Sequence, residues 1–98
     1  MAYEIFDVKK ENAGKIDELL KDDQVSRQSI IVKDAAVFDL KDHGMLVFIE
    51  GSQGALDRAK ELFSPIGKPL EGKDKETAYQ KFKDEENAVL GGAGIIFG

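Results

Sequence analysis

With 98 residues, of which 42% are apolar, the chain holds enough for one hydrophobic core and too little length for two. Cysteine is absent, which excludes disulfides, thiolate metal sites and cysteine nucleophiles together. Fourteen basic against nineteen acidic residues give a net charge of -5 with both signs intermixed, a solvated surface that argues against nucleic-acid phosphate and anionic membranes as partners.

Tyr3 to Val8, rich in aromatic and branched residues, predicts a first strand. Asn12 is positioned to cap a helix in which Ala13, Ile16, Leu19 and Leu20 recur at helical spacing, and Asp22, Asp23 and Gln24 end it. Ser29 to Lys33 and Ala36 to Leu40 read as a second strand, interrupted near Asp34 by a bulge or a break. Lys41, Asp42, His43 and Gly44 then turn the chain into Met45 to Ile49, an unbroken apolar run too short for a helix. That run predicts a strand buried on both faces in the middle of a sheet. Ser52 is the natural cap of a helix with Ala55, Leu56, Ala59, Leu62 and Phe63 on one stripe, which stops before Ser64 and Pro65. Ile66 to Glu71 predicts an edge strand, since Pro69 cannot donate to a ladder. Asp74 is placed to cap a last helix with Ala78, Tyr79 and Phe82 on one face.

The order strand, helix, strand, strand, helix, strand, with one helix added, is that of an α+β domain with a ferredoxin-like βαββαβ antiparallel sheet and an extra C-terminal helix. One domain is expected over residues 1–90, followed by a glycine-rich apolar tail over 91–98. Leu46 and Phe48 point opposite to Val47 and Ile49, so both faces of the sheet centre are apolar and the second face needs a cover. The third helix, the tail and a second copy of the chain are the candidates. Ile95, Ile96 and Phe97, joined through Gly92 and Gly94, also suit a docking peptide for a partner or a neighbouring subunit.

Few residues point to chemistry. The serines lack a nucleophile elbow, and His43, the single histidine, has Asp42 beside it in a turn. Ser52, Gln53 and Gly54 stand at a helix N-terminus where free amides can hold an anion, though without the lysine and spacing of a phosphate loop. The acids are more informative once topology is imposed. Loops after the first helix, the central strand and the last strand should share one end of the sheet, bringing Asp22, Asp23, Glu50, Glu71, Asp74 and Glu76 to a common rim. Carboxylates gathered in this way repel one another unless a cation or lysines intervene, and calcium or magnesium prefers such oxygen ligands. Helix capping and solubility, with Lys21, Lys68, Lys73 and Lys75 as counterions, are the plainer account of the same residues. Asp7, Glu11, Asp39 and Asp42 offer a second, sparser cluster at the opposite end.

The stretch SRQSIIVKDAAVFDLKDHGMLVFIE, residues 26–50, together with the closing GGAGIIFG, resembles small acidic archaeal proteins of unassigned function, particularly those of methanogens. The resemblance rests on hydrophobic patterns and glycines and transfers no functional residue. It implies a compact cytoplasmic α+β protein in which divalent-cation binding through surface acids is a candidate role. No apolar run reaches the roughly 20 residues of a membrane span, and the first ten residues do not resemble a secretory signal. The expectation is a non-enzymatic cytoplasmic domain that binds calcium or a similar ion weakly. The alternative is a homodimeric interaction or small-ligand regulatory module using the second sheet face and the tail.

Overall fold

The computed structural model describes residues 2–40 and 43–91, with side chains as far as residue 86. Among the described residues four strands, β1 (Ala2–Val8), β2 (Ser29–Asp34), β3 (Met45–Gly51) and β4 (Gly67–Pro69), form one sheet in the order β2-β3-β1-β4, and every neighbouring pair is antiparallel. The helices are α1 (Ile16–Leu19), α2 (Gln53–Phe63) and α3 (Gly72–Gly91), with short 3₁₀ turns at Lys10–Lys15, Val25–Arg27 and Ala35–Phe38. The architecture is α+β.

The apolar run Leu46 to Ile49 is interior to the sheet and fully buried, as its composition requires. Register sets its two faces against β1: Val47 pairs with Phe6 and Phe48 with Ile5. On the first face Phe6, Val8, Val47 and Ile49 pack with Ile16, Leu56, Ala59 and Phe63. The rings of Phe6 and Phe63 stack there with centroids 4.9 Å apart. On the second face Ile5, Leu46 and Phe48 pack with Phe38, Ala78 and Phe82. The sheet is therefore dry on both sides, with α1 and α2 on one face and α3 on the other.

Helix α2 begins where its cap dictates, since Ser52 Oγ accepts the Ala55 N–H at 3.3 Å. Helix α3 is the cover over the second face, the first of the three candidates. It crosses the strands in succession: Tyr79 stacks on Tyr3 of β1 at 4.2 Å, Phe82 packs on Phe48 of β3 at 5.0 Å, and Glu85 pairs with Lys33 of β2 at 2.5 Å. A homodimer built on that face would have to displace this helix.

Four local expectations differ from what is observed. Ala36 to Leu40 is not strand: the Asp34 carboxylate accepts the Ala36 N–H and starts a 3₁₀ turn that buries Ala35 and Phe38 and ends at Asp39 in the left-handed region. Asn12 caps nothing with its side chain, because the chain turns from Lys10 and only four residues become α-helix. Asp74 lies inside the first turn of α3, two residues past its start at Gly72, and its carboxylate faces His43. The last strand is three residues rather than six: its ladder with β1 runs from Gly67 to Pro69, after which one more bond, from the Leu70 N–H to the Ile5 carbonyl, precedes the turn at Gly72. Lys41, Asp42 and the tail residues 92–98 lie outside the described residues.

Candidate functional site

Three separate parts of the chain meet at the end of the sheet where β1 finishes. Asp7, the penultimate residue of β1, pairs with Leu46 in register and so projects to the second face, beneath α3. Gly44 leads the chain into β3 against Val8 and Lys10, where a Cβ would lie 2.3 Å from the Val8 carbonyl oxygen. Only glycine passes there without displacing backbone, and this passage sets His43 beside Asp7. Gly72, at φ +58, turns the chain from β4 into α3 and brings Asp74 over the same point.

His43 lies between the two carboxylates. Its Nδ1 is 2.6 Å from Asp7 Oδ2 and its Nε2 is 3.1 Å from Asp74 Oδ2. Asp7 is itself fixed, because its second oxygen accepts the Gly44 N–H at 2.9 Å. An ionised carboxylate only accepts, so the ring nitrogen facing Asp7 carries a hydrogen, and a second carboxylate at Nε2 favours the doubly protonated ring. The Asp7 hydrogen bond accordingly raises the His43 pKa above its ordinary 6.5; burial opposes the rise and Asp74 adds to it. The His43 side chain is 18% exposed and that of Asp74 is 56% exposed, so Asp7 is the anchor and Asp74 the exchangeable partner. The group borders an open crevice of about 340 Å³, with Lys68, Leu70 and Glu71 on its other walls.

The six acids expected at one rim are divided between two places. Asp22, Asp23 and Glu50 stand near the end where β3 finishes. Burial pushes the Asp22 carboxyl up, but the Val25 N–H and Arg58 outweigh it and hold the group below its ordinary value. Asp23 pairs with Arg27 at 3.1 Å, and Glu50 accepts from Lys83 at 3.1 Å. Glu71 and Asp74 lie near the other end, on the His43 crevice. The partners explain the division: Asp74 is turned to His43 beside the end of β1, whereas Glu50 is engaged by Lys83 further along α3. Glu76 is exposed on α3. Among the described residues no three histidine, aspartate or glutamate side chains converge as a metal-ligand group.

At the expected anion site, the Ser52 N–H donates to Gln28 Oε1 at 3.3 Å and the Ala55 N–H to Ser52 Oγ, so two donors of that turn are satisfied within the chain. Gly54 has the Gln24 amide beside it. Of the sparser cluster, Asp7 is engaged by His43, Glu11 lines a neighbouring crevice with Lys9 and Lys68, and Asp39 terminates a 3₁₀ turn. Sequence adjacency points His43 toward Asp42, whereas its partners among the described residues are 36 and 31 positions away. The one signal that leads to Asp7 is the β1–β3 register, which pairs Val8 with Met45 and so sets Asp7 beside the turn preceding β3.

Other ion pairs fasten the layers. Glu4, only 12% exposed, accepts from Lys60 of α2 at 3.2 Å and from Lys75 of α3 at 3.1 Å, tying together helices on opposite faces of the sheet. Among the described residues no helix is long and apolar enough to cross a membrane. No family model, curated protein or solved structure matches the chain.

Proposed function

We propose that the chain is a small non-enzymatic binding domain that takes up a divalent cation weakly at the crevice formed by His43, Asp74 and Glu71. The observation that carries this reading is the pairing of His43 Nε2 with Asp74 Oδ2 at 3.1 Å, while Nδ1 is held by Asp7. A carboxylate that fixes Nδ1–H and aims Nε2 outward is the usual outer support of a metal-binding histidine. Two donors about 3.3 Å apart suit adjacent positions on a tetrahedral ion with ligand bonds of about 2.0 Å. Glu71 lines the same crevice and is free to approach by rotation about its side-chain bonds. Two preset donors rather than three or four make the affinity low, and the raised His43 pKa makes the proton a competitor.

Catalysis is the less favoured reading, because cysteine is absent and the serines lack a nucleophile elbow. The strand order β2-β3-β1-β4, its antiparallel pairings and the two helices on one face support the ferredoxin-like reading of the topology.

Zinc and calcium, titrated separately and followed by NMR, test the proposal. Zinc should shift the His43 ring and Asp74 at pH 8 and do so much less at pH 5.5. Movement of Glu71 and Asp74 by calcium, without His43, favours a carboxylate-only site. Unchanged spectra with either ion at millimolar concentration would end the proposal.

A further inference from the structure

A second crevice opens where β1 and β4 part. Gly67 passes β1 so closely that a Cβ there would lie 2.4 Å from the Asp7 carbonyl oxygen. Beyond this contact the two segments diverge: β1 leads into the 3₁₀ turn at Lys10–Lys15, and β4 is preceded by a turn closed by the Ile66 N–H on the Phe63 carbonyl. Between them lies an open space of about 360 Å³, within the range of small-molecule sites. Lys9, Glu11 and Asn12 line it from one segment, and Pro65, Ile66 and Lys68 from the other.

The charges of this crevice differ from those of its neighbours. At the His43 crevice the ring is held by Asp7 and Asp74, and at the crevice beside Glu4 the carboxylate is held by Lys60 and Lys75. Among the described residues Lys9, Glu11 and Lys68 enter no ion pair. Asp7 also borders the space, but its two oxygens are engaged by His43 and Gly44. Two cations and one anion are left, beside an apolar surface. Ile66, 7% exposed, is already packed into the first apolar layer, so this surface exists before any ligand arrives.

A simple anion drawn to the lysines would meet Glu11 as a like charge, and a simple amine drawn to Glu11 would meet two lysines. A molecule carrying both signs answers all three groups with charge-assisted hydrogen bonds. We infer that this crevice binds a small zwitterion, a free α-amino acid with an aliphatic side chain, whose carboxylate pairs with Lys9 and Lys68, whose ammonium pairs with Glu11, and whose side chain covers Pro65 and Ile66. Neither His43, Glu71 nor Asp74 lines the space, so the inference is independent of the cation site.

Leucine, titrated at neutral pH and followed through the amide NMR spectrum, tests it. The Glu11, Asn12, Gly67 and Lys68 amides should shift while those of Ile30–Val32 stay in place. Acetate and butylamine, each carrying one of the two charges, should bind at least about tenfold more weakly. Lys68→Gln and Glu11→Gln, both at exposed positions, should each weaken leucine binding by at least about tenfold with an unchanged urea midpoint. Silence of the four amides at millimolar leucine would overturn the inference. Acetate binding as tightly as leucine would also overturn it, making the crevice a plain anion site, as would undiminished leucine binding by Glu11→Gln.

Discussion

Asp7 holds His43 in place: one carboxylate oxygen lies 2.6 Å from the imidazole Nδ1 while the other accepts the amide hydrogen of Gly44, the next residue in the chain. A side chain near the end of β1 thereby fixes both the entry to β3 and the ring that reaches α3. Removing the charge but not the shape, Asp7→Asn should destabilise the fold by about 1–3 kcal/mol, the usual cost of breaking charge-assisted hydrogen bonds at a partly buried position. Asp74→Asn, at an exposed position, should cost less than about 1 kcal/mol. Urea midpoints of the two variants give the comparison, and equal losses would remove Asp7 from its anchoring role.

Stability should decline on both sides of a mildly acidic plateau. His43 has its pKa raised by Asp7 in the folded state, so its contribution is complete below 6.5 and is lost as pH rises through the raised value. Asp34 is held below 3.8 by the Ala36 N–H and Lys10, and Asp22 is held below 3.8 chiefly by the Val25 N–H and Arg58 against the opposing effect of burial. Their contributions are complete above 3.8 and are lost as pH falls through the depressed values. The urea midpoint should therefore be highest between 3.8 and 6.5. In His43→Gln the alkaline decline should flatten while the acid decline persists; an unchanged alkaline limb would assign it to other groups.

The two apolar layers should respond separately to truncation. Phe82, fully enclosed by Phe38 and Phe48, anchors α3, and Phe63 anchors α2 against Phe6. Either residue changed to Ala should cost about 3–5 kcal/mol. Native-state hydrogen exchange distinguishes them: Phe82→Ala should open α3 preferentially while α2 keeps its protection. Equal loss in both helices would mean that the layers unfold as one unit.

Two backbone features carry their own predictions. Ser52→Ala removes the oxygen that receives the Ala55 N–H and should cost about 1 kcal/mol. Gly44→Ala should cost more, because its Cβ would meet the Val8 carbonyl oxygen at 2.3 Å and push the chain away from Asp7. Thermal unfolding of the pair ranks them, and a harmless Gly44→Ala would show that the chain has room to move there.

Elements specified by neighbours in the chain were legible in the sequence. Met45 to Ile49 announced an interior strand because no polar residue interrupts it, and Ser52 with the stripe from Ala55 to Phe63 announced a capped helix. Ala36 to Leu40 misled because its apolar residues suit a strand, while a hydrogen bond from the Ala36 amide to Asp34 and the burial of Phe38 favour a 3₁₀ turn. The expected rim of six acids rested on the loops after the first helix, the central strand and the last strand sharing one end of the sheet.

By itself, then, the order of residues determined the α+β class, the buried central strand and the need for a cover over its second face, because side-chain alternation and local capping are short-range properties. Tertiary structure alone decided that α3 provides the cover, that Asp7, 36 positions away, holds His43, and that Asp74 meets His43 while Glu50 meets Lys83. Those outcomes depend on where β4 stops and on the register of β1 against β3. Register fixes which distant side chains meet, and nothing within a few residues of His43 encodes it.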